Sequence, residues 1–192
     1  MSLPMAHGLA GVGIHFLMRP KNDPVFRASS LGVAFLVPVL PDLDFLLEWF
    51  LPCDPVICRR SFTHSFFTAL AVTLLVTWLI AKGKSRREMR HHAAYFFLLV
   101  SSHAIVDFFA GPNSRLPSGV MLFYPLSSDR FAFSVALLPN VPVFVTGPEV
   151  LLEHWDRFLF ASLAEALYFI PVLAVIFFAR GFYRLPLRFS LR

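Results

Sequence analysis

The sequence predicts an all-α protein, a polytopic transmembrane helical bundle of four to five spans with an irregular outer loop region. Three observations carry that expectation. Of the 192 residues, 57% are apolar and only 15% charged, so water is a poor solvent for most of the folded surface. Mean hydropathy is +0.66. Uninterrupted apolar stretches of about twenty residues recur, which a compact soluble core seldom needs.

Taken in order, the first apolar stretch, Met5 to Met18, is short for a crossing. It reads as a half-span or a helix packed against the bundle, and as the fifth span if it crosses. Leu31 to Leu51 is a crossing that Pro38 and Pro41 interrupt. Phe62 to Ala81 and Ala93 to Ala110 are the next two. From about 111 to 158 the chain changes character: Pro112, Pro117, Gly119, Pro125, Pro139, Pro142, Gly147 and Pro148 break any long helix. This loop or lid region is expected on the outer face, with the apolar Phe131 to Leu138 resting on the membrane or covering a site. Leu159 to Ala179 is the last crossing. Residues 1–192 thus read as a single membrane-embedded domain without an internal repeat. Met1 to Gly13 has no basic region ahead of an apolar stretch, so the first segment is expected to stay.

The net charge of +5 does not point to nucleic acid, because the basic residues sit at the ends of apolar runs and not in an aromatic-interleaved patch. They set orientation instead. Arg19, Lys21 and Arg27, then Lys82, Lys84, Arg86, Arg87 and Arg90, then Arg180, Arg184, Arg188 and Arg192 fall on one side when four spans alternate. Short loops rich in Lys and Arg stay in the cytoplasm, which places the C-terminus inside.

Ionisable residues inside apolar spans are expensive and mark function. Here they are His7, Asp42, Asp44, His64, His103, Asp107 and Glu165. Counted from the nearest basic cluster at about 1.5 Å per residue, Asp44, His64, Asp107 and Glu165 lie roughly 22 to 27 Å from the inner face, and His7 and His103 about one turn deeper. Residues from several segments therefore converge on one outer layer.

His103 and Asp107, spaced i, i+4, project from one helix face where an imidazole and a carboxylate can share a metal. Asp42 and Asp44 flank a helix break at Pro41, so that one carboxylate can ligate while the other bridges a second ion or orients a histidine. Nitrogen and carboxylate donors suit Zn²⁺ first, with Mn²⁺ or Fe²⁺ as alternatives, in one or two ions.

Singly, His7 or His64 reads as a helix-end histidine bonded to backbone or water, and Asp107 as a partner of Arg115. Together at one depth, the carboxylates would repel each other without a cation. Glu165 has no such neighbours and is expected to make a bundle hydrogen bond to a Ser or Tyr. His15, His91, His92 and His154 stand outside the set. Cys53 and Cys58 are compatible with a small disulfide, a metal half-site or two free thiols. Arg59 and Arg60, just before His64, read equally as an anion grip or as outer-face anchors.

The residues named so far recur in a recognisable order: His7-Gly8 with Gly11, Pro41-Asp42-Leu43-Asp44, Arg60 leading into Thr63-His64-Ser65, Ser102-His103 with Asp107, and Gly119 to Pro125-Leu126-Ser127 with Arg130. In this the chain resembles the YdjM-like family of membrane-bound, metal-dependent hydrolases. One departure is Arg59-Arg60-Ser61, where the family often has His-Arg-Gly, so a ligand or proton carrier of the family is missing. The resemblance implies an integral protein of the bacterial inner membrane with hydrolase activity, and more distantly it is similar to zinc-dependent phospholipase C and related nucleases.

On this reading the metal ligands are His7, Asp42, His64, His103 and Asp107. Asp44 is the expected general base or orienting residue, and Arg60, with Arg130, would stabilise negative charge. The expected partners are the lipid bilayer and a lipid-linked or phosphoester substrate, with no nucleic acid. A metal- or proton-coupled transporter and a scaffold with a structural metal are the competing classes.

Overall fold

The computed structural model describes residues 4–19, 28–44, 62–111, 119–138 and 155–181. Among these the secondary structure is helical, apart from one isolated bridge pairing Val120 with Phe131. Helix α1 spans Pro4–Met18. Helix α2, Ala28–Leu36, runs directly into a 3₁₀ segment, Val37–Leu43. A short 3₁₀ turn, Phe62–His64, precedes α3, Phe66–Leu79. Helices α4, Arg86–Phe109, and α5, Trp155–Ala179, follow.

Helices α4 and α5, with 24 and 25 residues, are long and apolar enough to cross a membrane. At 1.5 Å per residue they measure about 36 and 37 Å. Ser29–Leu43 and Phe66–Leu79 are shorter apolar helical stretches.

Local chemistry explains where these elements depart from the hydropathy pattern. Helix α4 begins at Arg86, seven residues before the expected Ala93. Ser85 and Glu88 form a capping box there, Glu88 Oε2 accepting from the Ser85 N–H at 2.7 Å and Ser85 Oγ from the Glu88 N–H at 3.3 Å. Helix α5 starts at Trp155, so the irregular region ends before the expected 158. The expected crossing from Leu31 starts as helix but tightens to 3₁₀ at Val37, because Pro38 and Pro41 bring no N–H to an α-helical ladder. Its continuation to Leu51 lies outside the described residues, as do Cys53, Cys58, Arg59, Arg60, Arg115 and His154.

Helix α4 buries its second half, Leu99 to Ala104, Val106 and Asp107. Helix α3 buries Ala69, Thr73 and Thr77, small residues four apart that let it lie close to α4, while Leu70, Leu74, Leu75 and Trp78 face outward. Helix α5 buries only Ala161 and Glu165 and presents Phe160, Leu167 and Val175 to the surroundings.

Helix α1 is packed inside, against α2, α4 and α5. A Cβ on Gly11 would fall on the carbonyl oxygen of Ala34 in α2, and one on Gly8 on the ring of Phe35, so this contact requires glycine. Further along, Phe16 packs with Val12, Leu31, Leu173, Ile176 and Phe177.

Four cross-helix contacts fix the directions. Glu165 Oε2 accepts from the Ala6 N–H at 2.9 Å and the Arg19 carbonyl accepts from Arg180 Nη2, so α1 and α5 run parallel. His15 Nδ1 lies 3.0 Å from the Tyr95 hydroxyl while His7 meets Asp107, so α1 and α4 run antiparallel. The bundle therefore has a basic end, carrying Arg19, the Lys82 to Arg90 turn and Arg180, and an opposite end where histidines and aspartates gather.

Candidate metal centre

Four elements deliver the gathered residues. His7 comes from the second turn of α1, Asp42 and Asp44 from the end of the 3₁₀ segment, His64 from the turn before α3, and His103 with Asp107 from one face of α4. The side chains of His7, His103, His64 and Asp107 are 0–1% exposed, Asp44 is 8% exposed and Asp42, at 17%, is the most open.

The nitrogen-to-oxygen separations are closely matched. His7 Nε2 lies 3.6 Å from Asp42 Oδ2 and 3.7 Å from Asp107 Oδ1. His103 Nε2 lies 3.6 Å from Asp42 Oδ1 and 3.7 Å from Asp107 Oδ2. His64 Nε2 lies 3.3 Å from Asp107 Oδ2. The imidazoles crowd one another, with ring centroids 3.9 Å apart for His7 and His103 and 4.4 Å for His64 and His103.

One donor atom from each of His7, Asp42, His103 and Asp107 can be chosen so that all lie within 4.8 Å of one another. The four separations of 3.6–3.7 Å that join His7 and His103 to Asp42 and Asp107 are too long for hydrogen bonds. They match the edges of a coordination shell: four ligands about 2.0–2.1 Å from a tetrahedral zinc stand roughly 3.3–3.4 Å apart. Nε2 of His64 and Nε2 of His103 have no hydrogen-bond partner among the described residues, although both are buried. The donor set thus fits a divalent transition metal.

The tautomer of His103 follows from its other nitrogen. Nδ1 is 2.7 Å from the Pro38 carbonyl, which can only accept, so Nδ1 carries the proton and Nε2 keeps its lone pair for a ligand role. That carbonyl is available because its 3₁₀ partner would be the N–H of residue 41, and Pro41 has none. Proline chemistry in α2's continuation thereby aims a histidine on α4.

His64 is held differently. Thr63 Oγ1 sits 2.8 Å from His64 Nδ1 and donates to Asp44 Oδ2 at 3.2 Å. Ser65 caps α3, its hydroxyl accepting from the Thr68 N–H at 3.1 Å, and so ends the turn directly after His64.

The structure brings all five expected ligands and Asp44 together. Glu165 Oε2 accepts from the backbone N–H of Ala6, one of the first N–H groups of α1, which have no intrahelical acceptor. Asp107 faces His7, His64 and His103. Arg130 Nη1 donates to the Gly119 carbonyl at 3.3 Å, a bond that closes the 119–138 loop on itself.

The sequence reading missed the Pro38 carbonyl and Thr63. The first was signalled by a proline three residues on, the second by a hydroxyl beside a candidate ligand. It also left aside His15, which is buried against Tyr95 near the basic end and takes no part in the centre.

Loop 119–138 lies over the same end of the bundle. The Phe66 N–H donates to the Leu122 carbonyl at 3.0 Å, and the N–H groups of Phe133 and Leu137 donate to the carbonyls of Phe108 and Phe109 at 2.9 and 3.1 Å. It is thus tied to the ends of α3 and α4 that carry His64 and Asp107.

No curated protein matches this chain, and no solved structure does. The family model of the YdjM inner membrane protein matches residues 1–185, nearly the whole length, and the chain belongs to that family.

Proposed function

We propose that this protein is a membrane-bound, metal-dependent hydrolase that cleaves a phosphoester or lipid-linked substrate at the outer face of the membrane. The observation that carries the reading is the convergence of His7, Asp42, His64, His103 and Asp107 with donor separations of 3.3–3.7 Å. A divalent metal at such a site acidifies water and polarises a phosphoryl or acyl oxygen.

The residues supply the rest. His7, His64, His103, Asp42 and Asp107 hold the ion, and Asp42, the most exposed of them, marks the side from which water and substrate arrive. Its neighbours Leu40 and Leu43 are 55% and 42% exposed, an apolar rim suited to the acyl or prenyl part of a lipid. Arg60, from the segment just before Thr63, is assigned to the negative charge that develops on the substrate.

In this reading α2 with its 3₁₀ continuation, α3, α4 and α5 are the crossings and α1 is a buried fifth helix. The basic end faces the cytoplasm by the positive-inside rule, which puts the centre in the outer leaflet. There a lipid head group reaches it without leaving the bilayer.

A transporter is the second reading, and buried His15 with Tyr95, about 12 Å below His7 along α1, is the observation in its favour. Hydrolysis of a panel of phosphoesters and lipid phosphates by purified protein, abolished by chelator and restored by Zn²⁺ or Mn²⁺, tests the hydrolase reading. Metal uptake into proteoliposomes without hydrolysis would favour transport.

A further inference from the structure

We propose that Thr63 is a positioning residue that locks His64 into its metal-binding tautomer by linking it to Asp44, which makes Asp44 the anchor of a relay and not a base acting on substrate. The inference rests on the metal-centre reading above. Its geometry is a chain of two bonds: Thr63 Oγ1 is 2.8 Å from His64 Nδ1 and 3.2 Å from Asp44 Oδ2.

A hydroxyl has one proton to give, and a carboxylate only accepts. Thr63 therefore donates to Asp44, and the other bond must run from His64 Nδ1–H to Thr63 Oγ1. With the proton on Nδ1, the lone pair is on Nε2, the atom 3.3 Å from Asp107 Oδ2.

Asp44 cannot do this alone, since its Oδ2 is 3.7 Å from His64 Nδ1, beyond hydrogen-bond reach. The hydroxyl fills that gap. Backbone geometry holds it in place: the Ser65 N–H bonds the Phe62 carbonyl at 3.2 Å, and the Ser65 cap fixes the start of α3. His64 and His103 thus reach the same carboxylate from two supports, a hydroxyl–carboxylate pair and the Pro38 carbonyl.

Removing the hydroxyl leaves Nδ1 without its acceptor and frees the ring to rotate. Removing the carboxylate is worse, because the hydroxyl can then donate to Nδ1 and drive the proton onto Nε2, where it competes with the metal.

The test uses the full chain in detergent, with Zn²⁺ affinity by chelator competition, Co²⁺ absorption and ¹⁵N NMR of the His64 ring. Thr63→Val is expected to weaken Zn²⁺ binding about 10- to 100-fold and alter the Co²⁺ spectrum, while Thr63→Ser restores both to near wild type. In metal-free wild type the NMR signals should show the proton on Nδ1, and in Asp44→Ala on Nε2.

Wild-type affinity and spectrum in folded Thr63→Val, or a proton on Nε2 in the wild type, would overturn the relay. If the wild type binds neither Zn²⁺ nor Co²⁺, the metal-centre reading fails, and the tautomer measurement still decides the hydrogen-bond chain. The same measurement decides it if Thr63→Val does not fold.

Discussion

Glu165 Oε2 accepts a hydrogen bond from the backbone N–H of Ala6 at 2.9 Å, one residue before His7. Helix α1 begins at Pro4, so Ala6 belongs to the first turn, whose N–H groups have no carbonyl behind them. In a bilayer there is no water to take their place, and a carboxylate also complements the positive end of the helix. Glu165, fully buried on α5, thereby fixes the height and rotation of the helix that presents His7.

A substitution that removes the acceptor should act on both fold and centre. Glu165→Leu is expected to destabilise the protein by about 1–3 kcal/mol, the usual penalty for an orphaned buried donor, and to weaken metal binding through His7. Glu165→Gln keeps an acceptor oxygen and should lose less of either. Unfolding in detergent together with Zn²⁺ affinity checks both variants.

The contact between α1 and α2 should be equally intolerant. Gly11→Ala places a methyl on the Ala34 carbonyl, so the helices must separate, at about 1–3 kcal/mol. Pro38 lies beside Gly11 and supports His103, so the same variant should lower metal affinity. Gly32→Ala, where a Cβ meets nothing within 4 Å, is the control and should leave the thermal midpoint and metal affinity nearly unchanged.

Acid should release the metal. Protons compete with it for the nitrogen lone pairs of His7, His64 and His103, so affinity is expected to fall as pH drops and to recover when it is raised again. A titration of bound Co²⁺ by absorption follows this directly. Affinity that does not change with acidity would argue against histidine ligation.

Topology gives a further expectation. A reporter after Gly83 or at the C-terminal side of Arg180 should be cytoplasmic, and one in loop 119–138 external. The opposite pattern would move the centre to the cytoplasmic face and exclude a substrate in the outer leaflet.

Much of the candidate centre was legible because ionisable residues in apolar segments stand out one by one and their shared depth groups them. His103 and Asp107 share a helix face by spacing alone, and Pro41 beside Asp42 announces a break. Depth counting put His7 and His103 about one turn deeper than Asp44, His64 and Asp107, and side-chain reach closes that step, their Nε2 atoms both lying 3.6 Å from Asp42 oxygens. Residue counts ignore helix tilt and side-chain reach, which together span about one turn.

The supporting bonds were not legible for a different reason. Glu165 to Ala6 and His103 to Pro38 depend on the register between helices, which the periodicity of one helix does not contain. The early start of α4 was present in the sequence as Ser85 and Glu88, but hydropathy concealed it.

The central claim is that five side chains from four segments form one metal site. Metal content per chain of detergent-purified protein, wild type against folded His103→Ala and Asp107→Ala, tests it most directly. One or two transition-metal ions in the wild type and their loss in both variants are predicted. No bound metal after reconstitution with Zn²⁺ or Mn²⁺ would contradict the account.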